Sequence, residues 1–255
     1  MSKVLQIRNL SKSFGGFCAV NDVSFDLEAG QLLAMIGPNG AGKSTCFNLI
    51  NGQLKPDQGS VIIMGKESVG FKPHRVWKLG VGRTFQITAT FASMSVLENV
   101  QTARIAFRRR TLSMLKKARN LYVDESLELL KLVGIEKQHD RACGVLAYGD
   151  LKRVELAMAL TNDPRLLLMD EPTAGMELAE RSRLMELTSE IVQTRNIGVL
   201  FTEHDMDIVF THANRIIVLN HGKLAAQGTP EEVRGNPKAQ EIYLGAAETA
   251  RLEKL

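Results

Sequence analysis

Cysteine, aromatic residues and long apolar runs are all scarce in this chain, and each scarcity excludes something. Only Cys18, Cys46 and Cys143 occur in 255 residues, far apart and with no C-x-x-C pair. That excludes a disulfide framework and a cysteine-based zinc site, and leaves three reduced packing residues. Aromatic side chains make up 5% of the chain, too few for the interleaved basic and aromatic surface that stacks nucleic-acid bases. No apolar run approaches the roughly 20 residues that span a bilayer. The opening residues, Met1 to Gln6, lack the apolar core of a secretory signal, so a cytoplasmic location is expected. Excess charge is scarce too: the net value of +4 suits an anionic partner without arguing for one. Most of the local excess lies between Arg104 and Arg119, including Arg108-Arg109-Arg110 and Lys116-Lys117. This stretch is either a solvated helix face or a contact with lipid headgroups or a membrane partner. The 44% hydrophobic and 24% charged fractions suit one large globular domain, or a core with a subdomain, able to bury a sizeable interior.

Against these absences stands Gly37-Pro38-Asn39-Gly40-Ala41-Gly42-Lys43-Ser44-Thr45, a complete G-x-x-x-x-G-K-[ST] phosphate loop. The apolar run Leu32 to Ile36 leads into it and the helix-compatible Cys46 to Ile50 follows. Strand, glycine turn and helix in that order place free backbone N–H groups around an anion. Gly37, Gly40 and Gly42 let the backbone curl around a β-phosphate. Lys43 can reach the β- and γ-phosphates, and the Ser44 hydroxyl can ligate Mg²⁺. The chain is therefore expected to bind a nucleoside triphosphate.

Residues 3–30 read as short strands around turns, with the sharpest break at Phe14-Gly15-Gly16-Phe17. Apolar runs at 31–36, 60–64, 166–169, 197–201 and 215–219 are bounded by Gly, Pro or Asp, as buried strands are. Helical stretches at 43–51, 178–194 and 205–212 lie between them, so the pattern is α/β with a parallel sheet. The middle differs. Ser95-Val96-Leu97-Glu98 is a capping box opening a helical region that continues, with a break near Thr111, to about Val133, where Gly134 can end it. Residues 88–160 are expected to form a helical subdomain inserted into a core of 1–87 and 161–255. A second capping box, Thr229-Pro230-Glu231-Glu232, lies near the end, with proline at the first helical position.

Leu166 to Met169 is an apolar run that ends in Asp170 and Glu171. Side chains alternate along a strand, so the two carboxylates point to different places. Asp170 can hold Mg²⁺ through water while Glu171 orients or deprotonates an attacking water; the bland alternative is a strand-end turn at Glu171-Pro172. In Gly82-Arg83-Thr84-Phe85-Gln86, the Gln86 amide can ligate a metal and position water at once. His204 follows another apolar run; its imidazole either donates to a γ-phosphate oxygen or caps the next helix. Leu146-Ala147-Tyr148-Gly149-Asp150 is a glycine-bearing turn that opens a further helix, a second anion-facing N-terminus.

Taken in this order, the phosphate loop, Gln86, the Ala147-Tyr148-Gly149-Asp150 turn, Asp170-Glu171, Glu177 and His204 resemble the ATP-binding-cassette ATPases along the whole chain. The closer resemblance is to the ATPase subunits of branched-chain amino-acid importers. It is carried by Phe14-Gly15-Gly16 with Ala19-Val20-Asn21, by Gly82 to Gln86, by Ala147-Tyr148-Gly149, and by the tail from Gly228 through Asn236-Pro237 to Gly245. The resemblance implies a phosphate-loop cassette fold with an antiparallel β subdomain and an inserted helical subdomain. Two such cassettes would sandwich two ATP molecules with Mg²⁺, each between one chain's phosphate loop and the other's signature turn, with Glu177 also at the dimer. Phe14 would stack on adenine with Val20 beside it; alternatively, Phe14 packs inside the antiparallel strands. The implied partners are a related second cassette in a heterodimer, two permease subunits and, indirectly, an external solute-binding protein, with no nucleic acid. A soluble cassette ATPase acting on nucleic acid or ribosomes is the alternative function. The family pattern has serine where this chain has Ala147, a missing hydrogen bond worth about 1.5–3 kcal/mol to a charged group. It usually has glutamine at Asp150, whose carboxylate is expected to accept backbone N–H bonds as the first residue of its helix. Glu177 replaces the usual aspartate and keeps the carboxylate on a longer stem.

Overall fold

The computed structural model describes residues 2–84, 90–108 and 120–243. Strands β1 (Lys3–Phe14) and β2 (Phe17–Glu28) run antiparallel around Gly15-Gly16. The short strands expected over 3–30 are thus two long ones. Four register shifts along the pair interrupt the alternation that marks a long strand in sequence. Then come β3 (Leu32–Ile36), α1 (Lys43–Ile50), β4 (Gln58–Ile63), β5 (Lys66–Glu67), α2 (Pro73–Lys78) and β6 (Val81–Thr84). Helices α3 (Val96–Phe107), α4 (Val123–Leu132) and α5 (Tyr148–Ala159) precede β7 (Leu166–Asp170). The chain continues through α6 (Leu178–Arg195), β8 (Gly198–Thr202), α7 (Met206–His212), β9 (Arg215–Asn220), β10 (Lys223–Gly228) and α8 (Pro230–Arg234).

The strands form two sheets. One is antiparallel, in the order β2-β1-β4-β5; the other has the order β10-β9-β3-β8-β7-β6. The second is parallel from β9 to β6, with β10 antiparallel at its edge. The run at 60–64 therefore belongs to the antiparallel sheet, not to the parallel one expected for it. A five-residue apolar run does not say which partner it will pair with. Strands β5, β6 and β10 were not anticipated, since β5 is wholly polar and polar residues or glycine interrupt the apolar run in the other two.

The parallel strands are apolar on both faces because both faces are covered. Leu32, Ala34 and Ile36 of β3, with Val199 and Phe201 of β8, face a cluster that includes Val100 of α3, Leu130 of α4 and Val154 of α5. Leu33, Met35 and Leu200 face the other way, onto Phe47 of α1 and the antiparallel sheet through Ile7, Phe25 and Ile63. Each residue step along a strand thus switches between two cores.

Both capping boxes form. Glu98 N donates to Ser95 Oγ (3.1 Å) and Ser95 N to Glu98 Oε2 (2.8 Å); Glu232 N donates to Thr229 Oγ1 (3.3 Å) and Thr229 N to Glu232 Oε2 (2.8 Å). Gly134 follows α4 with φ 74°. The break near Thr111, and Arg109, Arg110, Lys116 and Lys117, lie outside the described residues. Arg104, the start of the basic stretch, is neither solvated nor lipid-facing. It is buried, donating to Glu125 Oε2 (2.7 Å), Asp163 Oδ2 (2.9 Å) and the Thr161 carbonyl. It pins α3 to α4 and to the turn before β7.

Phe201 is fully buried in β8, between β3 and β7. Phe201→Ala is expected to destabilise the fold by about 3–5 kcal/mol, read as a lower midpoint in urea unfolding at unchanged slope.

Candidate active site

The site forms where β3, β7 and β8 end. After Ile36 the chain turns through Gly37, whose φ is 150°; a Cβ there would stand 2.1 Å from the Leu219 carbonyl oxygen. At Gly42, with φ 103°, it would stand 2.4 Å from the Ala19 carbonyl oxygen. Both positions combine left-handed backbone with contact against another strand, so only glycine fits. Gly42 is the N-cap of α1 and offers no side chain, which leaves the first N–H groups of the helix facing the loop. Lys43 is buried, and its ammonium donates to the carbonyls of Gly37 (2.6 Å) and Pro38 (3.1 Å). Burial pushes its pKa down, while the charges of Glu171 and Asp170 oppose the shift.

A cleft of about 320 Å³ opens over this loop. Asn39, Gly40, Ala41, Gly42, Lys43, Ser44 and Thr45 line its floor; Glu171 and His204 stand at one end, and Phe14, Phe17 and Ala19 form the rest of its wall. Gly37 and Pro38 do not line it; their carbonyls hold the Lys43 ammonium. Phe14 is 45% exposed at the tip of β1, so it is not part of the strand core, and Lys12 Nζ lies 5.5 Å from its ring centroid. Val20 departs from expectation: it is fully buried in the core below β2. Its neighbour Ala19 takes the place at the cleft, because alternate residues of a strand face opposite ways. Phe17, across the hairpin, is a wall residue that sequence reading missed, although a second aromatic beside the Gly15-Gly16 turn was the available signal.

At the end of β7, Asp170 pairs in register with Thr202 of β8. Thr202 Oγ1 donates to Asp170 Oδ1 (2.8 Å) and accepts from Glu171 N (3.0 Å). Glu171 has φ 47°, a left-handed conformation that costs energy for a side chain of this kind. Its Oε1 lies 3.0 Å from His204 Nε2. Helix α7 is capped not by His204 but by Asp205, whose Oδ1 accepts from Asp207 N (3.1 Å) and Ile208 N (3.4 Å). The histidine is thereby left for the cleft. Arg83 of β6 approaches Asp170 Oδ2 at 3.7 Å and donates to Asn48 and Gln53. Gln86 lies outside the described residues.

The signature turn is at the N-terminus of α5. Ala147 is the N-cap, with no side-chain bond to the helix. Asp150 is the third helical residue, and it does not accept the helix's own N–H groups as expected. Its Oδ2 accepts from Gln138 Nε2 at 2.7 Å, a partner twelve residues away. A Cβ on Gly149 would meet the Glu180 carboxylate at 3.0 Å, and one on Gly175 would meet the Tyr148 ring at 3.4 Å. The turn is therefore packed against the segment after β7 in the same chain. Glu177 is exposed at the N-terminus of α6, beside Leu178, which is 67% exposed. Neither Glu177 nor the signature turn lines the cleft of its own chain.

Hard oxygen donors, Ser44 and Asp170, are the groups suited to Mg²⁺ here. Among the described residues no three His, Cys, Asp or Glu side chains cluster as a self-sufficient metal site.

A family model described as ABC transporter matches residues 20–174, and one described as branched-chain amino acid ATP-binding cassette transporter matches 223–249. The high-affinity branched-chain amino acid transport ATP-binding protein LivG of Salmonella typhimurium is 37% identical over 251 residues, covering 96% of this chain and 98% of LivG. Its counterpart BraF of Pseudomonas aeruginosa is 36% identical over 252 residues, covering 96% and 98%. Among solved structures, the ADP conformation of MJ1267, an ATP-binding cassette of an ABC transporter, superposes with a TM-score of 0.86 at 31% identity, covering 96% of this chain and all of that one. With its two sheets, phosphate loop and signature helix, this chain belongs to the ATP-binding cassettes of the ABC transporter family.

Proposed function

We propose that the chain is the ATP-hydrolysing subunit of a membrane importer for branched-chain or related amino acids. The observation that carries the reading is the 3.0 Å contact of Glu171 with His204 at the end of a cleft floored by the phosphate loop. The relatives, named for branched-chain amino-acid transport, support the solute class and weigh against a soluble cassette acting on nucleic acid or ribosomes.

In this reading the amides of residues 39–45 and Lys43 bind the β- and γ-phosphates, and Phe14, with Phe17 near it, stacks the adenine. Ser44, Asp170 and Gln86 would hold Mg²⁺, which when bound neutralises phosphate charge and polarises the phosphoryl group. Glu171 accepts the proton of the attacking water. His204, as its Nε2–H tautomer, donates to Glu171 and steadies it, and is placed to turn toward a γ-phosphate oxygen. Residues 1–87 and 161–255 serve as the nucleotide core, and 88–160 carry the signature turn. Ala147, Tyr148, Gly149, Asp150 and Glu177 face a second cassette, with a related chain favoured over a copy of this one. Binding of ATP closes that pair, and hydrolysis reopens it.

Among the described residues no helix is long and apolar enough to cross a membrane, so two separate permease subunits complete the machine. An external solute-binding protein delivers to them, and the cassette sits peripherally on the inner membrane face. The permease would dock in the groove between the core and the helical subdomain near Gln86 to Leu97. A cleft of about 350 Å³ lined by Pro73, His74 and Trp77 of α2 and by Ala103 of α3 and Met158 of α5, elements on either side of that groove, supports this.

Three outcomes are expected. Phe14→Ala should weaken ATP binding by about 1–3 kcal/mol, or roughly five- to 150-fold, measured by equilibrium titration; unchanged affinity would return Phe14 to a structural role. Glu171→Gln should cut turnover by at least about a hundredfold while ATP binding holds and a nucleotide-trapped dimer accumulates on gel filtration; normal turnover would remove Glu171 as the base. A mild-detergent pull-down of the tagged chain from native membranes should recover two permeases and a second cassette. Recovery of soluble partners alone would overturn the transport reading.

A further inference from the structure

Behind the strand tips lies a carboxylate that hydrolysis as described above does not use. Glu203, between Thr202 and His204, is 4% exposed. Its Oε1 accepts from both Thr173 N (2.9 Å) and Thr173 Oγ1 (2.7 Å), and its Oε2 accepts from His204 N (3.3 Å). Thr173 begins the loop that follows Glu171 and ends at Glu177. The far end of the same loop is held by Arg181, in the first turn of α6. Arg181 Nε donates to the Met176 carbonyl (2.8 Å), and its Nη1 donates to Asp205 Oδ2 (2.9 Å). Residues 173–176 are thus fastened at both ends to residues 203–205, just beyond the paired ends of β7 and β8.

We infer that Glu203 and the Arg181–Asp205 pair form a two-point clamp that makes the loop bearing Glu177 and the segment bearing His204 move as one body, with Glu203 and Arg181 acting as positioning residues for hydrolysis. The inference rests on the reading of Glu171 and His204 as the hydrolytic pair. A buried acid is a poor source of stability, because a well-packed apolar side chain commonly does as well. Burial above all pushes the Glu203 carboxyl above its ordinary range, and the Glu171 charge acts in the same sense against the bonds from Thr173 and His204. What the carboxylate supplies that an apolar residue cannot is three directed acceptor bonds, two of them to one threonine. The consequence is mechanical. Displacement of the exposed Glu177 end of the loop is carried to His204, whose ring touches Glu171, and an error of about 1 Å in such a group costs about a hundredfold in rate.

The test uses the full chain and measures kcat and KM for ATP separately, with the His204 ring resonance, assigned through its loss in His204→Ala, followed by NMR. Glu203→Ala should lose about tenfold or more in kcat with KM within about twofold of native, and should shift the His204 resonance. Glu203→Gln keeps the Oε1 acceptor for Thr173 and should return to within about threefold of native kcat. Arg181→Met, which leaves the buried acid in place, should lower kcat in the same sense and serves if Glu203→Ala does not fold. The clamp is overturned if Glu203→Ala keeps native kcat, if KM rises as kcat falls, or if Glu203→Gln is as impaired as Glu203→Ala. Glu171→Gln measured alongside separates the two claims. If that variant still turns over, the hydrolytic reading fails, and an unmoved His204 resonance in Glu203→Ala then disproves the clamp on its own.

Discussion

The register of β7 against β8 is the constraint on which the site depends. Asp170 sits opposite Thr202, and one hydroxyl, donating to the carboxylate and accepting from Glu171 N, locks the pairing at its last step. A slip of β8 by one residue would exchange its faces. Phe201 would leave its core, Thr202 would no longer stand opposite Asp170, and the Glu171 to His204 contact would be lost. The apolar interior and the chemistry are therefore held by the same alignment. The interior supplies most of the energy, since successive apolar residues of β3, β7 and β8 are buried in the two clusters by turns.

How the helices attach follows from the same alternation. The cluster on one face of the parallel sheet runs without interruption into α3, α4 and α5, so the signature turn is carried by a helix that shares its core with β3 and β8. Arg104 adds polar fixation, bonding at once to α4 and to the turn before β7. A buried guanidinium with two carboxylates and a carbonyl around it is directional in a way that leucines are not. Apolar contact brings these helices onto the sheet, and the arginine specifies where along it they sit.

The phosphate loop was legible from sequence because its parts are contiguous, so spacing alone states the geometry. The carboxylates after β7 and the histidine after β8 were legible for a related reason: each terminates an apolar strand. What escaped were relations between segments. Thr202, Glu203 and Arg181 matter through bonds to residues 24 to 32 positions away, and nothing in their local sequence announces a partner. Asp150 looked like a residue serving its own helix, yet it is taken by Gln138 from a preceding turn. Val20, placed beside the adenine by resemblance, is buried in the core, and its neighbour Ala19 lines the cleft instead. Capping boxes were read correctly, being contained within four residues.

Lys43 in its present setting is already satisfied. Its ammonium bridges two carbonyls of the loop it belongs to, so the loop is cross-braced by its own cation. In the nucleotide-bound form proposed above, phosphate oxygens would take the place of these two neutral acceptors, and the buried ammonium would keep a partner in either arrangement.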